Sequence, residues 1–359
     1  FLNADLVIEI TKGSDNPYRI ALIPFQGESS VAKEANEIVK NDLMRTGEFY
    51  IFDEKSLIAY PPSEDDINYS DWRLINADYL LLTSVIESNS GIEARYEIFD
   101  VRRKSKIRSS KVYGVTNNVR QLSHYVSDGI YEAITGIKGI ASTKILYVSQ
   151  SNNLDSIYKL YVADADGANE QLLVKSPEPI ISPVWSPDSK KVAYVSFETG
   201  IANVYIQDIF TGDRESIIKK RCLTCTSNEQ ISSPSWSPDG KYLSLTLYQD
   251  GNAEIYIYNL QKRNLTRLTN HYSIDTESKW SPDGRKLMFT SGRSGSPQLY
   301  ELDLRKLNKK PKRLTFEGNY NARGSYLPGG EGIVLSLIHI SEPTRLLSIA
   351  YAGVGLKKK

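Results

Sequence analysis

Two cysteines, three histidines and a serine flanked by glycines are the residues here whose types and spacing could do covalent or metal chemistry. Cys222 and Cys225 stand in C-x-x-C spacing. Such a pair offers two thiolates, whereas a structural zinc site takes four ligands. The histidines, His124, His271 and His339, are scattered along the chain, so a metal site has little support. A thioredoxin-like redox pair belongs at the start of a helix in a βαβ unit; this one lies among short strand patterns. The stronger reading is a local disulfide that staples a loop in an oxidising compartment. Serine-hydrolase chemistry needs a nucleophile elbow, G-x-S-x-G, with Asp and His partners. The nearest string, Gly292-Arg293-Ser294-Gly295, lacks the last glycine and falls in a turn pattern. Nucleotide chemistry needs a glycine-rich loop after a strand, and Gly27 stands alone there. No catalytic, cofactor-binding or metal-binding residue is assigned, and the sequence reads as a binding protein and not an enzyme.

The elements that would carry any site fall into two parts, as 359 residues suggest. Lys+Arg is 44 and Asp+Glu is 43. That balance argues against nucleic acid, which needs a basic surface. No run of about 18 apolar residues exists to span a membrane as a helix. Phe1 to Ala4 read as the end of a cleaved signal peptide, with an ordinary chain start as the alternative. An alternating strand pattern begins directly after them, at Asp5.

Residues 18–25 (YRIALIPF) form an apolar run that suits a buried strand. Val31, Ala35, Ile38, Val39, Leu43 and Met44 recur at helical spacing, and Gly47 follows as a stop. A short strand over 49–52, a turn-rich stretch, a short helix from Trp72 and a strand over 79–86 come next. A hairpin over 92–100 and 106–113 and an amphipathic helix over 119–134 close the part. The order predicts an α/β sandwich.

Beyond Lys144 the helical patterns stop and one signature returns. It reads Pro183-Val184-Trp185-Ser186-Pro187-Asp188, then Pro234-Ser235-Trp236-Ser237-Pro238-Asp239-Gly240, then Lys279-Trp280-Ser281-Pro282-Asp283-Gly284. A degenerate copy runs from Ser325 to Gly330. The aromatics Trp185, Trp236, Trp280 and Tyr326 are 51, 44 and 46 residues apart. A period of about 40–50 residues filled with short strands predicts propeller blades. Pro-Asp-Gly makes the turn: proline presets φ, aspartate bonds back to the backbone, and glycine takes positive φ. The tryptophans are placed to pack between blades. Strands ending in apolar-Thr are predicted over 265–269 and 312–315. The long first interval contains both cysteines, which places them in a loop insertion between blades.

Residues 335–345 (LSLIHISEPTR) read as the in-frame translation of a transposase-type sequencing adapter, with a genuine strand and loop as the alternative. Native sequence is therefore expected to stop near Val334, and residues 335–359 to be a non-native tail. The natural chain would then continue for about two more repeats.

The segment DLVIEITKGSDNPYRIALIPF from Asp5, the string TGIKGIASTKILYV from Thr135 and the Trp-Ser-Pro-Asp repeats with LTFEGNYN from Leu314 together carry a resemblance to the TolB family of the Tol-Pal cell-envelope system. The resemblance implies an α/β N-terminal domain followed by an all-β propeller, six-bladed in the family, with about four blades and a fragment here. The boundaries expected are 1–4 for the signal remnant, 5–138 for the α/β domain, 139–334 for the incomplete propeller and 335–359 for the tail. It further implies a periplasmic protein–protein interaction scaffold of a Gram-negative bacterium. Its partners would be inner-membrane-anchored TolA and the outer-membrane lipoprotein Pal, with other outer-membrane proteins as further candidates. The roles implied are outer-membrane integrity, constriction in cell division and protein transport. The TolA-docking segment corresponds to Asp5, Leu6, Val7, Ile8, Glu9, Ile10, Thr11, Lys12 and Gly13, an alternating strand suited to pairing with a partner's sheet edge. The Pal-binding rim corresponds to Glu178, Gln230, Ser232, Ser233, Asp275, Thr276, Glu277, Asn321 and Arg323, in the loops just before each repeat motif. Gln230 stands where relatives carry histidine. The rival readings are the propeller of a prolyl-oligopeptidase-like serine hydrolase and a ligand-binding propeller.

Overall fold

A computed structural model of the chain describes residues 16–26, 30–88, 91–115, 118–150, 157–217, 230–249, 251–306 and 310–337. The leading residues 1–4, the segment 5–13, the Cys222–Cys225 pair, Gly27 and the tail from 338 lie outside the described residues. By their contacts the described residues divide into two compact units. One runs to Ile145 and takes in Ala163–Glu170; the other holds Leu146–Val162 and continues from Gln171.

In the first unit the apolar run becomes β1 (Tyr18–Leu22), with faces buried on both sides. Ile20 and Leu22 join one core cluster, Ala21 and Ile23 the other. This is what a strand alternating between two covered faces requires. Helix α1 (Ser30–Arg45) turns Ala32, Ala35, Ile38, Val39 and Leu43 inward. Then come β2 (Phe49–Ile51), α2 (Tyr69–Leu74), β3 (Tyr79–Ser88), β4 (Gly91–Asp100), β5 (Ser105–Gly114) and α3 (Val119–Thr135). The sheet order is β2-β1-β3-β4-β5, parallel from β2 to β3 and antiparallel beyond. Helices α1 and α3 share one cluster with the sheet, while Trp72 of α2 is buried in the cluster on the opposite face. Asn118 caps α3 by accepting from the Gln121 N–H at 3.2 Å, and Gly136 ends it at φ 74°. Gly129 lets α3 lie on β4: a Cβ there would collide with the Tyr96 hydroxyl.

The repeats fold as expected of blades. β6 (Lys144–Gln150), β7 (Tyr158–Asp164) and β8 (Gln171–Ser176) make a three-stranded sheet. Three four-stranded sheets follow. They are β9 (Ile180–Trp185), β10 (Lys191–Ser196), β11 (Asn203–Asp208) and β12 (Arg214–Ser216); β13 (Gln230–Trp236), β14 (Tyr242–Gln249), β15 (Asn252–Asn259) and β16 (Asn264–Arg267); and β17 (Asp275–Trp280), β18 (Lys286–Ser291), β19 (Gln298–Asp303) and β20 (Lys312–Arg313). The pair β21 (Asn321–Tyr326) and β22 (Ile333–Leu337) begins another. Residues 335–337, the start of the segment expected to be foreign, extend this ladder, with Asn321 opposite Leu337.

Cores form between consecutive sheets. Trp185 packs where Leu160 and Val174 meet Val192 and Tyr194. Trp236 sits where Val195 and Val204 meet Leu243 and Leu245. Trp280 lies where Ile255 meets Leu287 and Phe289, and its indole N–H donates to the Ser235 carbonyl at 3.1 Å. Each motif turn closes identically. Ser186, Ser237 and Ser281 donate to Asp188, Asp239 and Asp283 at 2.6 Å. The same aspartates accept from the amides of Lys190, Lys241 and Arg285 at 3.0–3.1 Å. Gly240 and Gly284 take φ 69°; Ser189 takes φ 57° where the first copy lacks glycine.

Two strand ends differ from the sequence reading. The ladders predicted to run through Thr269 and Thr315 stop at Arg267 and Arg313. Each threonine leaves the ladder because its hydroxyl is held by a neighbouring strand: Ile255 N–H donates to Thr269 Oγ1 at 2.9 Å, and Leu299 N–H to Thr315 Oγ1 at 3.0 Å.

Candidate partner-binding rim

The first strands β9, β13, β17 and β21 each enter their sheet from the same end and run towards a motif aromatic. Each is broken by a bulge: the register against the second strand slips between Ile181 and Val184, Ser232 and Ser235, Thr276 and Lys279, and Ala322 and Ser325. At each bulge one residue takes the left-handed conformation: Ser182 (φ 52°), Ser233 (φ 51°), Glu277 (φ 57°) and Arg323 (φ 53°). All four stand three residues before the aromatic. For a residue with a Cβ that conformation costs roughly 1–2 kcal/mol. It persists where the surroundings over-determine it. Here the preceding blade does so: Glu277 N–H donates to Thr246 Oγ1 and Arg323 N–H to Thr290 Oγ1, both at 3.3 Å. Val195 occupies the matching register position for Ser233 and offers no hydroxyl.

The bulges aim side chains at the entry end. Arg323 Nε meets Glu277 Oε1 at 2.9 Å, with the arginine exposed. Thr290 Oγ1 donates to the other Glu277 oxygen at 3.4 Å. Thr276 Oγ1 lies 3.3 Å from Thr246 Oγ1. Burial pushes the Lys279 ammonium below its ordinary value, against the opposing pull of Glu277. Gln230 and Glu178 are exposed, and Ser232 and Ser233 half-buried.

Two residues expected to meet a partner are interior instead. Asp275 is 0% exposed, and its Oδ2 takes Arg293 Nη2 at 2.5 Å. That guanidinium also lies 5.3 Å from the Phe289 ring and 5.0 Å from Tyr300. Asn321 is 2% exposed and donates to Gln298 Oε1 at 2.9 Å and the Glu317 carbonyl at 2.7 Å. Both shape the rim from beneath, by fixing the segments that lead into β17 and β21.

Over residues 131–347 the chain matches the family described as the TolB beta propeller domain, and over 6–107 the TolB amino-terminal domain. The chain belongs to the TolB family. It is similar to the Tol-Pal system protein TolB of Alcanivorax borkumensis, 40% identical over 251 residues, which is 69% of this chain and 56% of that protein. It is also similar to that of Hahella chejuensis, 42% identical over 219 residues, 60% of this chain and 51% of that one. The matched stretches thus span about half the length of these curated relatives. The crystal structure of TolB from Acinetobacter baumannii superposes with a TM-score of 0.83 at 37% identity, covering 93% of this chain and 80% of that one.

As a TolB-family propeller, the chain carries a polar system that the motif search missed. Glu254, at 2% exposure, accepts from Thr269 Oγ1 at 2.6 Å, the His271 N–H at 2.6 Å, Arg267 Nη2 at 3.1 Å and Asn252 Nδ2 at 3.2 Å. One blade on, Gln298 accepts from Thr315 Oγ1 at 2.7 Å. The signal was present: a Glu or Gln near the start of the third strand, paired with the Thr two residues past the fourth. The hydrolase constellation is absent from this TolB-family fold among the described residues. The string Gly292–Gly295 is the β18–β19 turn, closed by the Gly295 N–H on the Gly292 carbonyl at 2.9 Å. Ser127, His124 and Asp42 do meet in the first unit, but Ser127 donates to Asp42 and not to the imidazole, and all three are buried.

Proposed function

We propose that this TolB-family chain is a protein-binding scaffold of the Tol-Pal system in the periplasm of a Gram-negative bacterium. In this reading it holds Pal at the propeller rim and TolA through residues 5–13, and so supports outer-membrane integrity and constriction in cell division. The observation that carries it is the repeated bulge, which brings exposed and half-buried polar groups of successive blades to one end: Ser233, Thr276, Glu277 and Arg323. Such groups recognise a partner through charge and hydrogen-bond complementarity and supply no nucleophile. Among the described residues no helix is long and apolar enough to cross a membrane, which suits a protein that reaches membranes through anchored partners. The test uses the natural full-length protein, intact and lacking residues 5–13, to capture partners from envelope extract. Recovery of Pal by both forms and of TolA by the intact form alone supports the two-site reading. Recovery of neither partner, with a serine-hydrolase probe labelling the protein, removes it.

A further inference from the structure

Helix α3 carries a buried histidine that the binding reading does not use. His124 is 2% exposed, and its Nδ1 lies 2.7 Å from Asp42 Oδ2. Asp42 is itself fixed, accepting from Ser127 Oγ at 2.8 Å and pairing with Arg45 Nη2 at 3.0 Å. A carboxylate held in that way takes the imidazole proton onto Nδ1 and leaves Nε2 as a lone pair, the arrangement that orients histidine ligands at metal centres. Nε2 is buried and has no hydrogen-bond partner. A buried polar atom left unpaired is uncommon and costly.

The β7–β8 turn brings two carboxylates to this imidazole. One donor atom from each of His124, Asp164 and Asp166 lies within 4.8 Å of the others. Asp164 is buried and holds Lys144 Nζ at 2.7 Å and Asn169 Nδ2 at 2.6 Å. Asp166 is exposed, accepts from the Ala168 N–H at 3.0 Å and pairs with Arg120. Arg120 Nε, 3.8 Å from Asp164 Oδ2, is a second buried nitrogen without a hydrogen-bond partner.

We infer that His124, Asp164 and Asp166 form a site for a divalent transition-metal ion, which clasps the β7–β8 turn to helix α3. One imidazole and two carboxylates make a mixed nitrogen and oxygen set. That set suits zinc or manganese better than magnesium or calcium, which favour all-oxygen shells. The ion replaces Arg120 as the charge partner of Asp166 and of Asp164 Oδ2. The arginine side chain, 27% exposed, has a path to water. The histidine and the carboxylates are some 40 residues apart, so no spacing motif marks the site.

The experiment uses the full chain carrying Cys222→Ser and Cys225→Ser, so that the thiols bind no zinc. After stripping with chelator, zinc chloride is titrated calorimetrically and bound metal is counted by mass spectrometry. The expected result is one equivalent of zinc and a raised melting temperature. Asp42→Asn is expected to weaken binding about 10- to 100-fold through the histidine. Asp166→Asn, at an exposed position, is expected to weaken it at least ~10-fold with the far-ultraviolet circular dichroism unchanged. Failure to bind one equivalent, or unchanged zinc affinity in a folded Asp166→Asn variant, overturns the assignment.

Discussion

Arg323 on β21 holds Glu277 on β17, Nε to Oε1 at 2.9 Å, and both stand at left-handed backbone positions, φ 53° and 57°. The arginine side chain is 78% exposed. An ion pair so open to water contributes about 0–1 kcal/mol, less than the backbone conformation costs its two members. The pair is therefore better understood as a surface feature held in place than as a source of stability. Glycine at position 277 would relieve the strain but lose the charge and add unfolded-state freedom. Glu277→Gly is expected to shift stability by no more than about 1 kcal/mol while weakening Pal binding at the rim. Melting curves and an affinity measurement on the natural full-length protein check both halves. A large loss of stability would show that the bulge is held by the side chain and not by the preceding blade.

Asp275 gives the opposite expectation. Its carboxylate is interior and paired with Arg293, which is sandwiched near Phe289 and Tyr300. Removing one partner of a buried pair strands the other, at about 3–5 kcal/mol. Asp275→Ala should lower the propeller's unfolding midpoint accordingly, and the double change Asp275→Ala with Arg293→Met should recover part of the loss. A single variant that melts like the parent would place Asp275 at the surface after all.

These two residues show where the sequence was legible. Trp185, Trp236 and Trp280 announce the blades because a large apolar body before Ser-Pro-Asp has one economical place, between two sheets. The α1 face announces itself through helical spacing in the same way. Position in a repeat puts 275 and 321 just ahead of the motif, but does not reveal that Asp275 and Asn321 are buried. That depends on Arg293, 18 residues after Asp275, and on Gln298, 23 residues before Asn321. His124 was hidden for the same reason, since its neighbours come from α1 and the β7–β8 turn. Polar networks between distant strands have no period, and spacing cannot reveal them.

The motif turns predict a pH response. The Ser186 and Ser281 hydroxyls, followed by backbone amides, hold the Asp188 and Asp283 carboxyls below their usual range. At Asp239 burial pushes upward, and Ser237 and the Lys241 amide outweigh it. A carboxyl depressed in the folded state stabilises the fold fully above its unfolded pKa of about 3.9. That contribution is lost as pH falls through the lower folded value. The melting temperature is thus expected to hold near neutrality and to fall below about pH 4. Ser281→Ala should lower it at pH 7 and flatten its fall in acid. A variant with the parent's acid slope would remove this turn from the cause.

The buried acceptors Glu254 and Gln298 allow a ranking. Both hold a threonine hydroxyl, Thr269 at 2.6 Å and Thr315 at 2.7 Å, and each hydroxyl also accepts a backbone N–H. Valine keeps the shape and removes the oxygen. At position 315 it deprives a neutral amide and the Leu299 N–H. At position 269 it deprives an acceptor that also pairs with Arg267 and sits 2% exposed. Hydrogen bonds to charged groups contribute about 1.5–3 kcal/mol and neutral ones about 0.5–1.5. Thr269→Val should therefore destabilise the propeller more than Thr315→Val, by about 1 kcal/mol, measured as the difference in denaturant midpoint at constant slope. Equal losses would mean that Glu254 keeps its charge satisfied without the hydroxyl, through Arg267, Asn252 and the His271 amide. Adding Arg267→Met to Thr269→Val then tests that directly, because a carboxylate with neither partner has only the His271 and Asn252 donors left.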